Sequence, residues 1–469
     1  MPTLRTRNAA LLVKIESTPG TFDAPNTTTD GILIERPRIG YGPQLVQTDE
    51  VTGSLDSEAP IVGGMQATLQ FPFYLKGGVL PGVAPEWGKL ARICGLAEVA
   101  TVQTISGTGI AVADNNTITD SGNQFGPLTV GTHIFVGGFS NAANANKELI
   151  VTVSAAGSID VTNPDGSAAN LAAESAGATI TIRYGVAGTL ATAGTTISAT
   201  LQAPFAATAQ LYRGMPVLLS GNPATPEFVV CNDYTVGRLL TITKLMGAAL
   251  TTSTRASIPA NVRYQPVSTG IPAGSVEVYM DGLRRRFRGC RGMLSLQMDA
   301  GGAWRGNVTL RGLAVDPPKA DAAMVTPTYD ATRPGIWRAS RFAIDRIANG
   351  LESSGIEVGS RVEFPADPND PEGFTVPEIT QRQVTGTANP YETLVATRNL
   401  LATLRSGSNV LIDGQIKGNA AANAGGRLAF TIPTAILTNA DPDDARGFSV
   451  EQLNWFCRGA DSGFQLAIW

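Results

Sequence analysis

Between residues 101 and 265 the chain nearly loses its charge: 15 of 165 positions are Asp, Glu, Lys or Arg, against 59 of the other 304. A step of this size inside one chain marks a segment that folds around its own core, inserted into a host that resumes beyond it. The segment also repeats itself at a spacing of about 80 residues. Its first copy runs Thr117-Ile118-Thr119, Val130-Gly131-Thr132-His133-Ile134-Phe135-Val136-Gly137-Gly138 and Thr181-Ile182-Arg183-Tyr184. Its second runs Thr196-Ile197-Ser198, Arg213-Gly214-Met215-Pro216-Val217-Leu218-Leu219-Ser220-Gly221 and Asn261-Val262-Arg263-Tyr264. Short β-branched runs punctuated by Gly, Asn and Pro suit small antiparallel sheets. Residues 101–184 and 185–265 are therefore expected to be two inserted β-modules.

The flanks, 1–100 with 266–315 and then 330–469, read as two copies of one plan. In the first, Ala67-Thr68-Leu69-Gln70-Phe71-Pro72-Phe73-Tyr74-Leu75 alternates as a strand does. A short helix is expected to open at Ala84-Pro85-Glu86-Trp87, because the first helical turn tolerates the missing N–H of proline. Trp87, Leu90, Ile93 and Cys94 fall on one face of it, and Gly95 can stop it. After the insert, Gly274 to Met280 alternates into an Asp281-Gly282 turn, and strands follow at 293–298 and 307–310. In the second copy Glu378–Val384 is the strand, and Asn389-Pro390 opens the helix as cap and first residue. Leu394, Leu401 and Leu404 line its face, Gly407 ends it, and Asp413-Gly414 takes the place of the Asp281-Gly282 turn.

A formal net charge of −4 does not suit a protein that binds nucleic acid by neutralising phosphates. No apolar run approaches the roughly 18 residues of a membrane span, and Ala9–Val13 is too short for a secretory core. Cys94, Cys231, Cys290 and Cys457 lie far apart without CxxC spacing, as free thiols of a reducing cytoplasm would.

The residues that could carry chemistry have plainer readings. His133 is the single histidine, which excludes histidine triads and multi-histidine metal sites. Asp114, Asp120, Asp160 and Asp165 sit among Asn and Gly but in no Asp-x-Asp-x-Asp-Gly loop, and turn chemistry accounts for them. No phosphate-cradling glycine motif stands between a strand and a helix. No catalytic residue, metal or cofactor is expected, and the chain does not read as an enzyme. The densest charge cluster is Leu283-Arg284-Arg285-Arg286-Phe287-Arg288-Gly289-Cys290-Arg291. It could touch DNA phosphates, but one short run suits a solvated hairpin or an ion-pairing interface better.

Several stretches together resemble the tail tube proteins, or major tail proteins, of siphophages, which carry long non-contractile tails. They are Leu11-Leu12-Val13-Lys14-Ile15-Glu16-Ser17-Thr18-Pro19-Gly20-Thr21, Ala59-Pro60-Ile61-Val62-Gly63-Gly64, and Ala84 to Ala97. Tyr264 to Gly270, Tyr279-Met280-Asp281-Gly282 and Gly289-Cys290-Arg291-Gly292 continue the likeness, which is weaker at Gly386 to Leu404 and Leu437-Thr438-Asn439. It covers about 300 residues and leaves out the insert. The resemblance implies a mainly β chain: two tail-tube-type β-sandwich or barrel domains, each with a flanking α-helix, plus the inserted modules. It implies a structural virion protein, assembled in the host cytoplasm, whose copies form stacked rings around a DNA-conducting channel. Two tube domains per chain would let a ring of three copies mimic sixfold symmetry, with a ring of six as the alternative. A tape measure protein and a tail terminator are the implied partners, and genomic DNA passes without tight binding. The insert would decorate the outside. The alternatives are another β-rich virion protein, such as a capsid or adhesin subunit, and a carbohydrate-active enzyme.

Two long acidic loops are expected to carry ring-to-ring contact. The first, from about Gln47 to Gly64, holds Asp49, Glu50, Asp56 and Glu58. The second, from about Asn349 to Pro377, holds Glu352, Glu357, Glu363, Asp367, Asp370 and Glu372. Arg284, Arg285, Arg286 and Arg288 are the matching basic group.

Overall fold

The computed structural model describes residues 4–48, 50–51, 53, 59–416, 426–461 and 463–469. Strands make up 50 % of the protein and helices 3 %, so order rests on ladders between segments distant in sequence. The strands form three antiparallel sheets, and none of them closes into a barrel among the described residues.

Before the insert the first half supplies β1 (Ala9–Ile15), β2 (Arg38–Val46), β3 (Ile61–Tyr74), α1 (Gly88–Ile93) and β4 (Leu96–Thr101). After it come β5 (Asn261–Pro266), β6 (Gly274–Met280), β7 (Leu283–Asp299) and β8 (Arg305–Ala314). The second half contains β9 (Arg341–Ile344), β10 (Leu351–Glu363), β11 (Glu378–Pro390), α2 (Leu400–Ser406), β12 (Asn409–Ile416), β13 (Leu428–Ala445), β14 (Phe448–Cys457) and β15 (Gln465–Ile468).

The halves follow the same path. β2 pairs with β3, β3 with β8 and β8 with β7. Correspondingly β10 pairs with β11, β11 with β14 and β14 with β13. β7 joins the two paths, because its first part pairs with β6 while Leu294–Asp299 continues along the same edge onto β10. The result is one run of eight strands, β2-β3-β8-β7-β10-β11-β14-β13. Alternation gives it two faces: Ala67, Leu69, Phe71 and Phe73 of β3 are buried, while Thr68 and Tyr74 are exposed.

Behind the buried face lies one continuous core, to which Trp87, Trp304 and Trp455 contribute the largest rings. On α1, Trp87, Leu90, Ile93 and Cys94 are all buried, and Gly95 ends the helix with φ at +87°. The helix starts at Gly88, whose N–H donates to Pro85 at 2.9 Å, so Pro85 sits in the preceding turn and not in the helix. Asp281 and Gly282 both have positive φ, the type I′ geometry that matches strand twist in a two-residue hairpin.

The insert enters and leaves at neighbouring points. β4 and β5 pair from Leu96↔Pro266 to Thr101↔Asn261, so the added chain hangs from adjacent strand ends without disturbing the host register. Residues 103–184 and 186–258 form two seven-stranded sheets, each around its own core. With strands counted within each unit, both sheets have the order 1-7-4-5-6-3-2. The closing strand of the second unit is Arg255–Ile258, not Asn261–Tyr264 as the repeat suggested. Asn261–Tyr264 belongs to β5, where its backbone is used by β4 on one side and β15 on the other.

Three expectations for the second half fail. Asn389-Pro390 ends β11 and opens no helix: the Asn389 side chain accepts from the N–H of Ser353 at 2.7 Å, and the strand lies between β10 and β14. The helix starts at Leu400, capped by Asn399 and ended by Gly407; Leu394 and Leu401 are exposed and Leu404 is only partly buried. Asp413-Gly414 is no turn, since both residues pair with β9 and β13 inside β12. The expected loop from Asn349 is largely strand β10, whose inward positions include Ser354 and Ser360 beside Ile356, Val358 and Val362. Ile61–Gly64 likewise belongs to β3.

Candidate assembly surface

The eight-stranded run ends in two bare edges. Among the described residues β2 pairs with β3 alone. β13 is covered on its outer side by β12 only as far as Ile436, so among the described residues Ala440–Ala445 are paired with β14 on one side and unpaired on the other. An unpaired edge presents a row of N–H and C=O groups to any strand that matches it.

The edges carry opposite charge. Beside β2, Arg36 and Arg38 are exposed and have no ion-pair partner among the described residues. On β13, Asp441, Asp443 and Asp444 are exposed and have no ion-pair partner among the described residues, although Gln452 donates to Asp443 and the Gly447 N–H to Asp444. Arg36 and Arg38 also line a cavity of about 1110 Å³ on the polar face of the run, with Gln70, Gln297, Arg305 and Asn307. Its shape is that of an open concave sheet and not of an enclosed ligand site. Towards the loop between β2 and β3 the strand ends expose Leu45, Val46, Ile61 and Val62.

Arg284, Arg285, Arg286 and Arg288 do not make one patch. All four are half-buried on β7. Arg284 lies beside Tyr279, Arg285 beside Met280 and Tyr41. Arg286 sits over the Phe22 ring and donates to the Asp316 carbonyl at 3.1 Å. Only Arg288 reaches the acidic group, 4.0 Å from Asp370. Glu363 pairs with Arg361 at 2.7 Å, Glu372 accepts from the Met65 N–H at 2.7 Å, and Asp367 accepts from the Asn369 N–H. Glu352 is 3.5 Å from Arg446, and Glu357 is exposed on β10. Glu50 is exposed; Asp49, Asp56 and Glu58 lie outside the described residues.

The insert is docked on the body rather than tethered to it. Phe228 of the second unit packs on Trp469 with ring centres 6.0 Å apart, and Arg427 pairs with Glu148 of the first unit at 2.5 Å. His133 is buried at this junction, 5.3 Å from Phe228, with no hydrogen-bond partner on either ring nitrogen. Burial pushes its imidazole down to about 4, more than the neighbouring Glu148 carboxylate raises it. The four cysteines are free, and burial pushes the Cys457 thiol up to about 12.

Among the described residues no helix is long and apolar enough to cross a membrane. No protein-family model and no curated protein matches the chain.

Proposed function

We propose that the protein is the structural subunit of a siphophage tail tube, a chain that closes into rings whose stack conducts DNA. One observation carries this reading: two equivalent four-stranded halves are joined edge to edge into one run, and the outer edges of that run are left bare. A join that works once within the chain can work again between copies, and closure removes every edge.

Size favours three copies. Three runs of eight strands make 24, and at about 4.8 Å per strand and a barrel tilt of about 40° their circumference is roughly 150 Å, a backbone diameter of about 48 Å. Side chains then leave a bore of roughly 35 Å, wide enough for one duplex. Six copies would double the circumference and leave far more room than DNA fills. The face turned to the bore mixes Arg305, Arg311 and Arg361 with Glu357, Asp441 and Asp443, so it does not grip phosphate as a basic lining would. The inserted units hang from β4 and β5 and rest on Trp469 and on Ala429 at the start of β13, the end of that strand opposite its bare edge, which suits outer decoration.

Electron microscopy of the purified protein tests the proposal. Rings or tubes with three copies per ring are expected. Six copies would overturn the stoichiometry, and a protein that stays monomeric at every concentration would overturn the function.

A further inference from the structure

We propose that the copy-to-copy seam, which rests on the tube reading above, pairs Ala440–Ala445 of one copy antiparallel with residues 36–41 of a second copy, Asp443 opposite Arg38. The register follows from the seam inside the chain. There Leu294↔Val358, Gln297↔Gly355 and Met298↔Ser354 are partners.

Equivalent residues are found by walking across each half. Leu294 pairs with Val308 and Val308 with Phe71; Ala440 pairs with Leu453 and Leu453 with Ala388. Ala388 pairs with Ser354, and Phe71, one past the Gln70↔Arg38 pair, stands opposite Pro37. Ser354 therefore corresponds to Pro37, Gly355 to Arg38 and Val358 to Tyr41, while Leu294–Asp299 corresponds to Ala440–Ala445. Transferring the inner seam sets Ala440 against Tyr41, Asp443 against Arg38 and Ala445 against Arg36.

Two independent features agree with this register. Buried Ala440 meets Tyr41, whose ring lies 6.1 Å from the core residue Phe287, so the core faces coincide. Asp441 and Asp443 then share the polar face with Arg36 and Arg38, and Asp443 has an arginine directly opposite and another diagonally across. The inner seam has neutral Gln297 and Gly355 at that position, so the opposed pair of charges belongs to the join between copies.

The same charges exclude wrong partners. Two β13 edges brought together would set aspartates against aspartates, and two β2 edges would set arginines against arginines. What remains is head-to-tail pairing, which closes into a ring instead of stopping at a twofold dimer.

Charge swapping tests the seam. Asp443→Arg and Arg38→Asp, each on an exposed edge, should fold as the wild type does by circular dichroism and fail to form rings. The double variant should recover them. Asp443→Cys with Arg38→Cys should give disulfide-linked chains on a non-reducing gel, and Gln297→Cys with Gly355→Cys, the equivalent pair of the inner seam, should give an in-chain bond. If the wild type forms rings and the double variant stays apart, or if only the inner pair cross-links, the seam is wrong and the tube reading stands. If the wild type itself never forms rings, the tube reading falls and the seam with it.

Discussion

The β2–β3 and β10–β11 hairpins are the same structure in two situations. Leu45 pairs with Val62 at a bulge in one, and Val362 with Ile379 at a bulge in the other. Yet Leu45 is 56 % exposed and Val362 only 7 %. The second hairpin lies against the first half, where Arg291 meets Glu378 at 2.6 Å, Ser360 donates to the Cys94 carbonyl and Arg382 to the Val267 carbonyl. The first hairpin touches the second half at Met65, whose N–H Glu372 holds, but the strand ends beyond it, with Leu45, Val46, Ile61 and Val62, stay exposed. The difference shows what a neighbouring half covers, and in the proposed ring the next copy supplies that cover. The helices repeat the contrast: α1 is enclosed, with the Ser360 contact at its end, while Leu401 of α2 is 64 % exposed.

The largest effect should come from placing a charge at the two equivalent hairpin positions. Val362→Asp buries a carboxylate with no partner and should cost several kcal/mol, enough to lose the second half of the fold. Leu45→Asp should leave the melting temperature of the isolated chain within a few degrees of wild type and abolish ring formation. Calorimetry and microscopy on both variants check this. Equal loss of stability in the two would mean that Leu45 is not a bare assembly surface.

Truncation in the two helices should separate in the same way with smaller values. Leu90→Ala in α1 removes a fully buried side chain and should cost about 2–5 kcal/mol in urea unfolding. Leu401→Ala should change stability by less than about 0.5 kcal/mol and raise the concentration needed for assembly. An assembly threshold unchanged from wild type would place α2 outside the copy-to-copy contact.

The junction between insert and body adds a pH dependence of its own. His133 takes its proton near 4 when folded and near 6.5 when unfolded. Between these values the unfolded chain binds the extra proton, so its contribution is intact above pH 6.5 and is lost as pH falls towards 4, by roughly 3 kcal/mol. His133→Phe should flatten the fall in melting temperature between pH 7 and pH 4.5. A fall as steep as that of wild type would assign the acid sensitivity to other groups.

What was legible in the sequence was local. The alternation of Ala67, Leu69, Phe71 and Phe73, the α1 face and the 80-residue repeat all rest on apolar periods that neighbouring residues reveal. β10 escaped because Ser354 and Ser360 take inward places and glycines interrupt the pattern. Asn389-Pro390 and Asp413-Gly414 carry the residues of a cap and a turn, and tertiary pairing overrides both. The candidate surface was hidden more deeply. Asn439-Ala440-Asp441-Pro442-Asp443-Asp444 has the composition of a loop, yet it is strand. A bare edge is defined by what does not lie beside it, which only the whole topology reveals.

The smallest effect belongs to the two hairpin loops. Residues 364–377 fold back on the first half: Glu372 holds the Met65 N–H, Arg311 stands 4.9 Å over the Phe364 ring, and Arg288 is 4.0 Å from Asp370. A partly exposed pair at that distance contributes little, so Asp370→Asn should cost less than about 1 kcal/mol. Asp367 holds only its own turn, through the N–H of Asn369 at 2.9 Å, and is free for contact with another ring. Reversing Arg284–Arg286 would test the other side of that contact less cleanly, since Arg286 already serves Phe22 and Asp316 within the chain. Asp367→Lys should therefore leave both stability and single rings unchanged while shortening tubes at low salt, where exposed charges are least screened. A tube-length distribution identical to wild type from low to high salt would remove the acidic loop from the stacking contact and leave the seam between copies as the one place where charge directs assembly.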